Sequence, residues 1–141
     1  MKITSLFFIL FMISFLSFGC SNDDDNKSPS IDNHQKIIGK WYFEESPTLP
    51  PFNECDKMGF LEFDENTVRM KLFLENSDGN CILFGEDTTT YEMVSETKIK
   101  IIPSDDPAYE ITIITVDDNT LILDDFVYLD GNKYRFVFRK G

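Results

Sequence analysis

The side chains able to do chemistry in these 141 residues are few: one histidine, His34, three cysteines, Cys20, Cys55 and Cys81, and several adjacent acidic pairs. A single imidazole leaves no room for the usual general base or the usual metal sites. The pairs Glu44-Glu45, Asp105-Asp106, Asp117-Asp118 and Asp124-Asp125 carry the residue type that glycoside hydrolysis uses. Neighbours in a strand, however, point to opposite faces, and neighbours in a turn are solvated. The pattern is that of a non-enzyme, with no catalytic residue, no metal site and no cofactor.

Cys20 ends an apolar run. After Lys2 no charge occurs from Ile3 to Gly19, Leu, Phe and Ile dominate, and the polar stretch SNDDDN follows the cysteine. The run falls slightly short of the ~20 residues that cross a bilayer and ends in the small residues Ser17 and Gly19. That is the pattern of a signal peptide over residues 1–19; the plainer alternative is an uncleaved helix with an incidental cysteine. At this junction the chain resembles the bacterial lipoproteins, whose signal peptidase cuts before a cysteine that then receives diacylglycerol. Gly19 fits that pattern, whereas Ser17 and Phe18 depart from the usual Leu and small residue. The resemblance implies an acyl anchor of the palmitate kind on Cys20, with the membrane as a partner through that lipid. Asp23 to Asp25 resemble the export signal that sends Bacteroidetes-type lipoproteins to the outer face of the outer membrane, so the expected location is lipid-anchored and surface-exposed. A calcium loop is the rival use of this triplet, but the Gly and the distal Glu of such a loop are missing.

Residues 20–36 are polar and lack apolar periodicity, so they are expected to form a disordered acidic tether, with His34 solvated at its end. One folded domain is expected over 37–141. It holds 21 acidic and 10 basic residues, within a chain of net charge −12. That balance argues against nucleic acid as a partner and against electrostatic attraction to anionic lipid. With Cys20 assigned to the lipid, Cys55 and Cys81 remain. In an exported chain an even remainder implies a disulfide; the other use, a metal site, has no nearby histidine to complete it.

From Gly39 onward, short strands alternate with turn residues. They are expected at Gly39 to Glu45, Lys57 to Phe63, Thr67 to Glu75, Thr88 to Val94, Thr97 to Ile102, Ala108 to Val116, Thr120 to Val127 and Lys133 to Arg139. Asn76 to Asp87 reads as a connection carrying Cys81, and Ser46 to Glu54 as a Pro-rich loop. Sequential hairpins predict an all-β, eight-stranded antiparallel up-and-down barrel, in which closure removes both edges. An immunoglobulin-like sandwich would place a Trp between the two cysteines, but Trp41 precedes both.

At Gly39-Lys40-Trp41 the chain resembles the lipocalins, and more closely the lipocalin-like domains of Bacteroidetes lipoproteins. They share a Gly-x-Trp on the first strand, a cysteine ahead of the second and basic residues at the end of the last. The resemblance implies barrel closure by Arg139 packed on Trp41, although alternation through Tyr134, Phe136 and Phe138 turns Arg139 outward. It also implies a small apolar ligand inside the barrel, under a lid loop carrying Leu49 and Phe52. The candidate lining, from alternation, is Phe43 on the first strand, Phe63 on the second, and Met70 and Leu72 on the third. Tyr91 and Met93, Ile101, Ile113, Leu123 and Phe136 supply the later strands. These side chains are large, and a small barrel can be filled by its own residues. A packed barrel that engages a protein or glycan from its surface is therefore the alternative reading.

Overall fold

A computed structural model describes residues 31–141; Cys20 and the acidic triplet lie outside the described residues. A helix, α1 (Ile31–Ile37), precedes eight strands: β1 (Gly39–Glu45), β2 (Phe60–Phe63), β3 (Thr67–Glu75), β4 (Cys81–Ser95), β5 (Lys98–Ile102), β6 (Tyr109–Val116), β7 (Thr120–Val127) and β8 (Lys133–Lys140). Every neighbouring pair is antiparallel, and β8 pairs with β1, so the sheet closes into the expected barrel. Closure needs bends. Bulges supply them in β1 at Phe43/Glu45, β3–β4 at Leu72/Phe73, β4 at Met93/Ser95, β6 at Ile113/Thr115 and β7 at Leu123/Phe126.

Period-two alternation sets what is inside. On β3, Val68 and Leu72 are buried with Met70 half-buried between them, while Arg69 and Lys71 reach Glu62 and Glu86 across the outer face. Further cross-strand pairs, Lys98 with Glu110 and Lys100 with Glu92, continue this outer layer. The turns use side chains as backbone surrogates. Asp117 Oδ1 accepts from the N–H groups of Asn119 and Thr120, both at 2.8 Å, and Asn76 Oδ1 accepts from those of Asp78 and Asn80.

Three sequence expectations change. The tether does not extend to residue 36: Ile31–Ile37 is helical, Ile37 is fully buried, and His34 is docked. Its Nε2–H donates to Glu65 O at 3.0 Å, and its ring meets Tyr91 edge-on at 6.0 Å. The connection over Asn76 to Asp87 is mostly strand. The turn ends at Asn80, and Cys81 opens the 15-residue β4, whose apolar triplet Ile82-Leu83-Phe84 straddles a bulge and so lacks alternation. The second strand is shorter than expected, because Asp56–Met58 form a 3-10 turn ahead of Phe60.

In an up-and-down barrel, alternate hairpins share an end. Helix α1 covers the end built from the β2–β3, β4–β5 and β6–β7 turns: Asn33 Nδ2–H donates to Glu96 O at 2.8 Å, as His34 does to Glu65. The opposite end, the mouth, carries the four longer connections, residues 46–59, 76–80, 103–108 and 128–132.

Candidate binding site

The closed end is built around Trp41, which is fully buried. Its indole N–H donates to Ile37 O at 2.6 Å, locking β1 to α1. Lys140, not Arg139, supplies the closing cation. Trp41 pairs with Lys140 across β1–β8, and Lys140 Nζ lies 4.3 Å from the indole ring centre. The same ammonium donates to Ile38 O at 3.1 Å and Lys36 O at 3.4 Å, satisfying carbonyls at the end of α1, where a cation is favoured. Arg139 is 69 % exposed and meets Glu44 at 3.5 Å outside the barrel. Uninterrupted alternation explains the exchange: Phe136, Phe138 and Lys140 point inward, so Arg139 cannot.

Inside, one half of the barrel is filled by rings. Phe43 packs on Phe136 and Phe138 at 5.5 and 4.8 Å, and Phe126 on Phe136 at 5.4 Å. Phe52 from the β1–β2 loop stacks over Phe136 at 6.0 Å, and Leu49 packs beside the core, so this loop is a lid over that half. Ser46 holds its base, donating to Arg135 O at 2.7 Å. The Cys55–Cys81 disulfide forms, with Cα atoms 5.1 Å apart, and ties the same loop to the β3–β4 hairpin.

The other half, beneath the β5–β6 loop, keeps a cleft of about 60 Å³. Its floor comes from Leu61, Phe63, Val68 and Met70 on β2 and β3, closed by Ile101, Ile111 and Phe126. Its lip is Asp87, Thr89, Pro103 and Tyr109. Among the candidate lining residues, Phe63, Met70 and Ile101 border this cleft. Phe43, Leu72, Tyr91, Ile113, Leu123 and Phe136 are instead buried packing, and Met93, opposite Ile99 beside the β4–β5 turn, is near the closed end. Alternation could have found Val68 and Tyr109. Phe126 was hidden by the β7 bulge, and Asp87 and Thr89 by being polar residues in an inward phase.

Two tyrosines, buried Tyr91 and half-buried Tyr109, bring phenols to the interior. Tyr91 donates to Asp64 O at 2.6 Å; its burial, reinforced by the Asp64 carboxylate, pushes its pKa up to about 12. Tyr109 is raised by burial and then by Asp87, so both are neutral donors at physiological pH.

A second groove, polar and of about 250 Å³, lies outside the barrel between Pro47-Thr48 and the β7–β8 pair. Here the Asp124-Asp125 pair departs from expectation. The bulge sets both residues opposite Arg135, Asp125 adopts φ 60°, and both carboxylates border one groove. Asp124 is bound by Arg135, which holds it below the usual carboxylate range, and Asp125 accepts from Thr112 at 3.3 Å. A general acid needs the opposite shift.

A family model described as a lipocalin-like domain matches residues 37–123. No curated protein matches the sequence. Among solved structures, a lipocalin-like protein from Bacteroides uniformis is 17 % identical, with 75 % of this chain and 99 % of that one covered and a TM-score of 0.47. A Bacteroides eggerthii protein is 14 % identical, covering 74 % and 99 % at 0.49. Lobster apocrustacyanin A1 is 20 % identical, covering 82 % and 72 % at 0.45.

Proposed function

Because this chain belongs to the lipocalin-like domain family, we propose that it is a lipid-anchored binding module on the outer membrane surface, whose mouth takes the end of a small apolar ligand. The observation that carries the ligand reading is the apolar cleft. At about 60 Å³ it holds a handful of waters, far below the ~300 Å³ at which pockets enclose a drug-sized molecule. A short alkyl terminus or a single ring fits; a whole ligand does not.

The anchor reading rests on the apolar run ahead of Cys20 and the acidic triplet after it. Residues 21–30 would span at most about 35 Å from the lipid to α1. Since α1 covers the closed end, such an anchor would leave the mouth as the end farther from the attachment. Membrane fractionation of a Cys20→Ala variant tests the anchor: the protein should leave the membrane fraction, and retention there would refute it. Native mass spectrometry of protein purified from cells that export it tests the cleft. A bound mass that dissociates on unfolding supports ligand capture, and an unliganded spectrum counts against it.

One observation favours the second reading, a packed barrel that engages a protein or glycan from outside. Ile82, Leu83 and Phe84 are 49 %, 51 % and 53 % exposed on the part of β4 that runs past the end of β5, whose last residue, Ile102, pairs with Thr90.

A further inference from the structure

We infer that the cleft selects ligands with a cationic amine at the head of a short apolar chain or ring, Asp87 being the carboxylate that receives it. This rests on the cleft being the binding site. Asp87 pairs with Met70 across β3–β4 and, like Met70, borders the cleft, so it sits on the inward phase of its strand. It is the one charged residue in an otherwise apolar or hydroxylic lining. Its Oδ1 accepts from the Thr88 backbone N–H at 2.8 Å, and among the described residues it has no Lys or Arg partner. By contrast, Glu86 beside it is met by Lys71 at 3.1 Å.

A carboxylate at the lip of a small apolar cleft discriminates by charge. An ammonium gains a charge-assisted hydrogen bond, while a fatty acid places like charges together. Tyr109 and Thr89 stand on the same lip. The Thr89 hydroxyl donates to Ile102 O at 2.8 Å and the phenol is kept neutral by burial and by Asp87, so both turn oxygen lone pairs to an ammonium as acceptors. The surrounding field has the same sign. The mouth connections carry Glu54, Asp56, Asp78, Asp105, Asp106 and Asp130 against Lys57, and among the described residues none of these six acids forms a salt bridge with Lys or Arg. A mouth lined by one sign of charge concentrates the opposite ion.

Isothermal titration of the purified protein and of Asp87→Asn with hexylamine, hexan-1-ol and hexanoate at pH 7 tests this, with the ¹³C methyl signal of Met70 as site marker. Hexylamine should bind about fivefold tighter than hexan-1-ol, in line with a partly shielded ion pair, and hexanoate most weakly. Asp87→Asn should bring amine and alcohol affinities together, chiefly through loss of amine affinity, with Met70 still shifting saturably. Equal or tighter binding of hexanoate, or an amine preference that survives in Asp87→Asn, would overturn the inference and leave the cleft standing as an apolar site. Absence of any saturable Met70 shift with all three probes would refute the binding-site reading itself, and this inference with it.

Discussion

The two ends of the barrel are made from the same strands and finished in opposite ways. At the closed end, short turns, α1 and the Trp41–Lys140 contact give the polar groups partners: the indole N–H on Ile37, the Tyr91 hydroxyl on Asp64 and the Lys140 ammonium on the Lys36 and Ile38 carbonyls. At the mouth the connections are longer and acidic, the apolar triplet of β4 faces solvent, and part of the interior is left unfilled. In the function proposed above, the closed end carries the stability and the mouth the recognition, at connections that can vary without disturbing the core.

Four perturbations test that division, beginning with the largest. Trp41→Ala removes a fully buried ring and its hydrogen bond and should cost ~3–5 kcal/mol, read as a fall in the urea midpoint; a loss under 1 kcal/mol would mean the closed end is not the stabilising end. Replacing Cys55 and Cys81 together by Ala opens a loop with a sequence separation of 26 and should cost ~3 kcal/mol. Hydrogen exchange should then rise first in the β1–β2 loop and the β3–β4 hairpin, not in β1 or β8.

The third perturbation is alkaline pH. The Tyr91 pKa is about 12 in the folded chain, above the ~10 of an unfolded tyrosine. The folded state therefore holds the proton more tightly, its contribution is complete below pH 10, and it is lost as pH rises from 10 toward 12. Wild type should lose up to ~2 kcal/mol more than Tyr91→Phe over that window; parallel stability curves would contradict the assignment. The smallest effect separates two neighbours. Lys140→Met should cost ~1 kcal/mol, whereas Arg139→Met, at an exposed pair, should cost less than ~0.5 kcal/mol. The reverse order in thermal melts would restore Arg139 as the closing residue.

The barrel was legible in the sequence because its signals are local: turn residues between alternating runs, and an apolar period of two that β3 and β8 follow along most of their length. What escaped was produced by bulges and by tertiary contact. Ile82-Leu83-Phe84 gives no alternation because an extra residue sits opposite Leu72/Phe73, so nearly half of β4 read as loop. Helix α1 has only seven residues, too few to be stable alone, and exists because Ile37 is buried and Asn33 and His34 reach the turns beneath. For the site, alternation separated inward from outward residues well but could not say which inward residues pack and which border space. That depends on where the lid loop lands, and it lands on Phe136, leaving Met70, Ile101 and Asp87 beside the cleft.

The division of labour is tested most directly by the methionine methyls, since Met70 borders the cleft and Met93 lies toward the closed end on the same barrel wall. Titrating hexylamine into ¹³C-methyl-methionine protein should move the Met70 signal saturably, leave Met93 in place and leave the emission of Trp41, the single tryptophan, unchanged. Movement of Met93 or a change in Trp41 emission with Met70 still would contradict the account.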